Sequence, residues 1–345
     1  MPDGNRVIVH VGLPKTGTTF LQRVLARNRQ ALHAAGVLYP GPGSDHFFAA
    51  QDLLDRPFKG HRDPRVEGAW LTLTGQARGI ASTVVISHEL LATARGAVID
   101  RLLDDLTPRE VTVVATVRDL PRQVLAVWQE DVKNGSTRSF DEFLRRVQRT
   151  SDADDRLSKP FWKLQDAPEI LALWAERLPV GRVVVVTVPP SGQPSSLLWQ
   201  RFCSVIGVSP TGLDADVPRR NVSLGAAETE LLRSVNAGTA PYLDWPTYRR
   251  LVKRLLAEQI LASRRSSPRL RLPEAGRDWA LERGAAMAEA LAGAGYPVIG
   301  SLDDLRSTPA GSPDSVAWPP DDSDQLAAAT EAIVALLRQD AEPTT

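Results

Sequence analysis

Val7-Ile8-Val9-His10-Val11-Gly12-Leu13-Pro14-Lys15-Thr16-Gly17-Thr18-Thr19-Phe20 passes from an apolar strand through a glycine-bracketed loop into a helix. A loop of this kind turns successive backbone N–H groups toward an anion at a helix N-terminus, where unpaired donors and the helix dipole both favour negative charge. The ATP-type version places its lysine directly after the second glycine, G-x-x-x-x-G-K-[ST]. Gly12 and Gly17 keep that spacing, but Thr18 stands at the lysine position and Lys15 lies inside the loop. The competing reading of the segment is a glycine turn that only joins strand to helix. The coincidence of strand, glycines, lysine and hydroxyls favours an anion site.

Four β-branched runs read as buried strands: Arg6 to Val11, Thr83 to Ser87, Val111 to Val117 and Arg182 to Val188. None alternates strictly with polar residues, as expected of a parallel sheet covered on both faces. Helical stripes separate them: Phe20, Leu21, Val24, Leu25 and Leu32, then Leu91, Ala94, Val98, Leu102 and Leu106 on a helix expected over Leu90 to Leu106. Strand alternating with helix predicts an α/β fold with a doubly wound parallel sheet, whose ligands sit beyond the carboxyl ends of the strands. Tyr39 to Gly79 reads as loops and short helices over the cleft, a candidate acceptor-binding region in which His46, beside Phe47 and Phe48, is a candidate pocket residue. Ser139 to Arg177 reads as helix interrupted at Pro160 and Pro168, either a mobile cover or a packed insertion. Gly225 to Ala294 carries further helices, with Ser223 or Asn221 as a possible cap.

Two more strand ends carry chemistry. Val117-Arg118-Asp119-Leu120-Pro121-Arg122 leads a strand into a helix whose first turn tolerates the proline, and puts Arg118 and Arg122 at a second possible anion site. Ile86-Ser87-His88-Glu89-Leu90 presents two possible bases side by side, of which extended backbone turns only one toward a cleft. Glu89 is favoured over His88, against the alternative that it only stabilises a helix N-terminus.

Pro14-Lys15-Thr16-Gly17-Thr18-Thr19 resembles the 5′-phosphosulfate loop of sulfotransferases, which use 3′-phosphoadenosine 5′-phosphosulfate (PAPS). The resemblance implies a P-loop-type α/β fold and transfer of a sulfuryl group to a hydroxyl or amine of a small molecule or glycan. It also implies that Lys15 reaches the oxygen bridging phosphate and sulfate, with the threonine hydroxyls and loop amides on the 5′-phosphate. In that family an Arg at a later strand end and a Ser eight positions on hold the 3′-phosphate. Arg118 matches the arginine, while the serine position is Ala126, so Arg122 and Lys133 are candidate replacement charges. A late basic loop closes over the nucleotide, a task for which Arg219 and Arg220 are candidates. Family members use a His or a Glu near the second strand end as base, which points again to His88 and Glu89. No metal is expected, because one ammonium and several N–H donors can offset the modest charge of a departing sulfuryl group. The alternatives are a P-loop kinase or NTPase, which would normally offer a strand-end acid for magnesium, and a nucleotide-binding protein whose donor site has degenerated.

Composition narrows the partners. Lys+Arg and Asp+Glu both total 41, so no global field draws nucleic acid or an anionic membrane. One cysteine, Cys203, excludes an internal disulfide and reads as a packed side chain, and the five histidines show no ligand spacing. Eight Trp residues read as core anchors. The loop's proximity to Met1 and the lack of a long apolar run lead to the expectation of a cytoplasmic protein with neither signal peptide nor anchor. Residues 1–300 are expected to form the sulfotransferase-like domain and residues 301–345 a Ser/Pro/Asp-rich linker with a helix over Gln325 to Leu337.

Overall fold

The computed structural model describes residues 5–42, 44–57, 60–78, 83–156, 159–194, 196–217, 223–240, 242–264, 268–306, 315–316 and 318–341. The chain divides into two compact units. The first comprises Met1–Leu120, Thr150–Pro218 and Leu281–Thr308, and the second comprises Pro121–Arg149, Arg219–Ala280 and Pro309–Thr345.

The first unit is α/β. Its strands are β1 (Arg6–Gly12), β2 (Val37–Leu38), β3 (Thr83–Ser87), β4 (Glu110–Val117) and β5 (Val183–Thr187), completed after β6 by β7 (Val298–Ile299). They form a six-stranded, all-parallel sheet in the order β2-β3-β1-β4-β5-β7. The chain leaves β1 toward β3 on one side and β4 on the other, so the switch of winding direction falls at β1, and a doubly wound sheet places its crevice there. One face of the sheet, built by Ile8, Val85, Val114, Val184 and Val186, packs on Leu21, Val24 and Leu25 of the Thr18–Arg27 helix and on Trp199, Phe202 and Cys203 of the Ser196–Ile206 helix. The Gly96–Leu106 and Ala167–Ala175 helices also pack on the strands, burying Ile99, Leu102, Ile170 and Trp174. Burial pushes the Cys203 thiol up to about 12, the behaviour of a packed residue rather than a nucleophile.

The expected four strands are present with ends shifted by at most a residue or so. The expected helix over Leu90 to Leu106 is not continuous. Glu89–Thr93 is a short 3-10 helix, Ala94 and Arg95 are extended, and the α-helix begins at Gly96, whose φ of 35° marks the break. Phe161 and Trp162 are buried, so Trp162–Gln165 is a packed element rather than a mobile cover. At the far edge, Arg201 donates to the Thr187 carbonyl (2.7 Å) and pairs with Asp304 (2.6 Å), while Thr187 Oγ1 also donates to Asp304 (2.7 Å), fastening the segment after β7.

In the second unit β6 (Arg269–Leu270) pairs in parallel with β8 (Ser315–Val316). The helix expected over Gln325 to Leu337 spans Asp322–Ala341 and docks within this unit on the Ala226–Thr239 helix. Arg264 pairs with both the buried Glu228 and, at 2.8 Å, the more exposed Glu331 of that last helix. The Ala226–Thr239 helix is capped by Gly225, not by Ser223; Asn221 lies outside the described residues.

Candidate active site

The loop after β1 owes its shape to three left-handed residues: Gly12 (φ 73°), Lys15 (φ 69°) and Gly17 (φ 91°). For the glycines this costs little, and neither could carry a side chain. A Cβ on Gly17 would stand 2.5 Å from Leu198 Cδ2, and one on Gly12 would stand 2.9 Å from Glu89 Cβ. For Lys15 the same conformation costs about 1 kcal/mol or more, and strain held at a loop of this type is a mark of function. Arg118, at the end of β4, donates from Nη1 to the Lys15 carbonyl (3.1 Å), and Gln165 donates to the Pro14 carbonyl (3.4 Å).

Thr16 and Thr18 turn their hydroxyls inward. Thr16 Oγ1 donates to the Leu13 carbonyl (2.5 Å) and Thr18 Oγ1 to the same oxygen (3.2 Å), while Leu13 N–H donates to Thr116 O (2.9 Å). These hydroxyls hold the loop's shape instead of facing an anion. The N-cap of the following helix, Gly17, supplies no side-chain bond, and the amides of Thr16, Gly17 and Thr18 have no partner among the described residues. What the loop offers an anion is its main chain, with Thr19 in the helix's first turn.

Beneath the loop lies a row of buried polar groups that the sequence reading missed. Thr16 Oγ1 meets Thr116 Oγ1 (2.6 Å), Thr116 Oγ1 meets His10 Nε2 (3.2 Å), and His10 Nδ1 meets Ser87 Oγ (2.8 Å). Since the Leu13 carbonyl can only accept, Thr16 donates to it and accepts from Thr116. Thr116 then accepts from His10 Nε2–H, leaving Nδ1 to accept from Ser87. Burial lowers the His10 pKa to about 3, with repulsion from His88 adding to the shift, so the imidazole is neutral. The available signal was a polar residue near the carboxyl end of each of three β-branched runs: His10, Ser87 and Thr116.

His46, expected near an acceptor pocket, is buried and structural. It stacks on Tyr39, accepts from Ser87 N–H (3.2 Å) and donates to the Pro40 carbonyl (2.8 Å); burial lowers its pKa to about 3.

The two candidate bases differ. His88 caps the 3-10 helix, its Nδ1 accepting Leu90 N–H (3.1 Å), and burial lowers its pKa against the pull of Glu89. Glu89 packs its Cβ and Cα against Gly12, so its carboxylate stem touches the loop. Its Oε2 is buried and has no hydrogen-bond partner among the described residues. A buried carboxylate oxygen left this way costs stability unless something arrives to bond it.

Arg122 lies in the first turn of the Leu120–Lys133 helix and belongs to the second unit, as do Ala126 and the buried Lys133. Arg219 and Arg220 lie outside the described residues. Among the described residues there is no group of three or more His, Cys, Asp or Glu able to hold a metal, and no helix long and apolar enough to cross a membrane.

No protein-family profile matches this chain, and no curated protein does. Among solved structures, the crystal structure of a sulfotransferase from Alicyclobacillus acidocaldarius aligns at 18% sequence identity with a TM-score of 0.42, over 71% of this chain and 98% of that one.

Proposed function

We propose that the chain is a PAPS-dependent sulfotransferase acting on a hydroxyl or amine of a small-molecule or glycan acceptor. The observation that carries this reading is the approach of Glu89 to Gly12. It sets a residue with an unpartnered, buried carboxylate oxygen against the first glycine of the loop that carries the left-handed Lys15 and ends at an uncapped helix N-terminus. The donor would supply an activated sulfuryl group whose S–O bond to phosphate breaks as one from sulfur to the acceptor oxygen or nitrogen forms. In this proposal the amides of Lys15, Thr16, Gly17, Thr18 and Thr19 bind the 5′-phosphate, following the preference of a helix start for anions. Lys15 offsets the charge left on that phosphate, and Glu89 takes the acceptor proton. His88, whose Nδ1 is committed to its cap, orients the segment that carries Glu89. Arg118 is assigned to the 3′-phosphate, which would couple that group to the Lys15 carbonyl it already holds. Arg122 and Arg220 stand on the sequence resemblance alone.

Calorimetry with adenosine 3′,5′-bisphosphate and with ATP, each with and without magnesium, tests the proposal. Binding of the bisphosphate without magnesium is expected. Magnesium-dependent ATP binding in its place would establish a kinase or NTPase, and binding of neither would leave a degenerate donor site.

A further inference from the structure

Among the described residues of the first unit, Arg56, Arg95 and Lys163 are cations with no carboxylate paired to them. Arg95 lies in the extended link after the 3-10 helix that Glu89 begins. Its guanidinium donates to the carbonyls of Ala92 (2.7 Å), Ala94 (2.7 Å) and Lys163 (3.1 Å). Those bonds fix the group but leave its full positive charge. Burial, reinforced by the charges of Arg56 and Arg95, holds the Lys163 pKa below the ordinary lysine range. Burial alone lowers that of Arg95. None of the three forms an ion pair among the described residues, although neighbouring cations do: Arg62 with Asp55, Lys159 with Asp155, and Arg177 with Asp100. The same spot holds the start of the eleven-residue Gly96–Leu106 helix, which has no side-chain cap. Arg95 and Lys163 are half-buried and Arg56 is exposed; like charges so placed repel one another, at a cost that an anion would relieve.

The place is informative. Lys163 and Gln165 share one turn of helix, and Gln165 bonds the Pro14 carbonyl of the loop while the Lys163 carbonyl bonds Arg95. The cluster thus adjoins both the anion loop and the segment carrying Glu89.

We propose that Arg56, Arg95 and Lys163 form an oxyanion subsite for the acceptor, so that the molecule sulfated already bears a carboxylate, sulfate or phosphate group. The acceptor role rests on the function proposed above; the anion site does not.

The test is an amide-resolved NMR titration of the full chain with sodium glucuronate, sodium sulfate and glucose, each with and without saturating adenosine 3′,5′-bisphosphate. Saturable shifts at Gly96 and Lys163 are expected with one or both anions, none with glucose, and the same whether or not bisphosphate is present. A response to glucuronate alone assigns a carboxylate, and a response to sulfate assigns a sulfate or phosphate ester. Lys163→Gln and the exposed Arg56→Gln should each weaken binding about tenfold, as loss of a charge-assisted bond does, and Lys163→Arg should retain it. Equal shifts with glucose, loss of the shifts on adding bisphosphate, or unchanged affinity in both glutamine variants would overturn the subsite. Failure of the bisphosphate to bind while the anions still do would defeat the sulfuryl-transfer reading and leave this one standing.

Discussion

Mild acid should destabilise this protein by way of two histidines. His10 and His46 are buried, each fully bonded as a neutral ring, and each has a pKa of about 3 against 6.5 for an exposed imidazole. Between those values the unfolded chain binds a proton that the native state refuses, so stability is complete above pH 6.5 and falls as pH drops. A group of this kind approaches a slope of about 1.4 kcal/mol per pH unit. Integrated from pH 6.5 to 5, where the unfolded ring goes from half to almost fully protonated, each costs roughly 1.6 kcal/mol and the pair roughly 3 kcal/mol. That is a large share of the about 5–15 kcal/mol of a typical fold. His88, also lowered by burial, acts in the same direction. Asp63, Asp214 and Glu331, whose pKa values lie below the ordinary range, lose their contribution only at lower pH. Urea unfolding at constant ionic strength, followed at half-unit steps, measures the slope, and imidazole nitrogen shifts report whether the rings stay neutral at pH 5. A loss under about 1 kcal/mol across that window, or imidazolium signals in the native state, would refute the argument.

Three further outcomes are expected. Lys15→Ala should abolish sulfuryl transfer in a radiolabelled-donor assay while shifting the melting temperature by no more than a few degrees, because a half-buried loop lysine contributes little to stability. Gly12→Ala should cost about 2 kcal/mol or more in chemical denaturation and should weaken bisphosphate binding, since the new methyl meets Glu89 Cβ at 2.9 Å in a left-handed backbone. Arg264→Leu, which takes a charged partner from the buried Glu228, should destabilise more than Glu331→Gln, which removes only the exposed partner and should cost under about 1 kcal/mol.

The sheet was legible because β-branched runs such as Val183–Thr187 carry their own signal. Val37–Leu38 and Val298–Ile299 were not, since two residues have no period. The break at Ala94 and Arg95 escaped because Leu91, Ala94 and Val98 keep helical spacing across a 3-10 turn and a short extended link; Gly96 was the cue. In the site, the lysine-bearing loop and the strand-end Arg118 were readable from local chemistry. The approach of Glu89 to Gly12 joins the end of β1 to the 3-10 helix that follows β3, a pairing that no local pattern encodes. The inward hydroxyls of Thr16 and Thr18 were misread for a related reason. Their partner is the carbonyl of Leu13, and only the folded turn brings it within reach.

The row running from Leu13 O to Ser87 has a polarity. Because its last member is a carbonyl, every hydrogen along it leans the same way, and the imidazole tautomer in the middle of the sheet records the orientation of the single peptide that carries the Leu13 carbonyl. Were that peptide to flip, the two threonine protons, the ring proton and the serine proton would all have to relocate together. The loop is therefore held by a concerted lock.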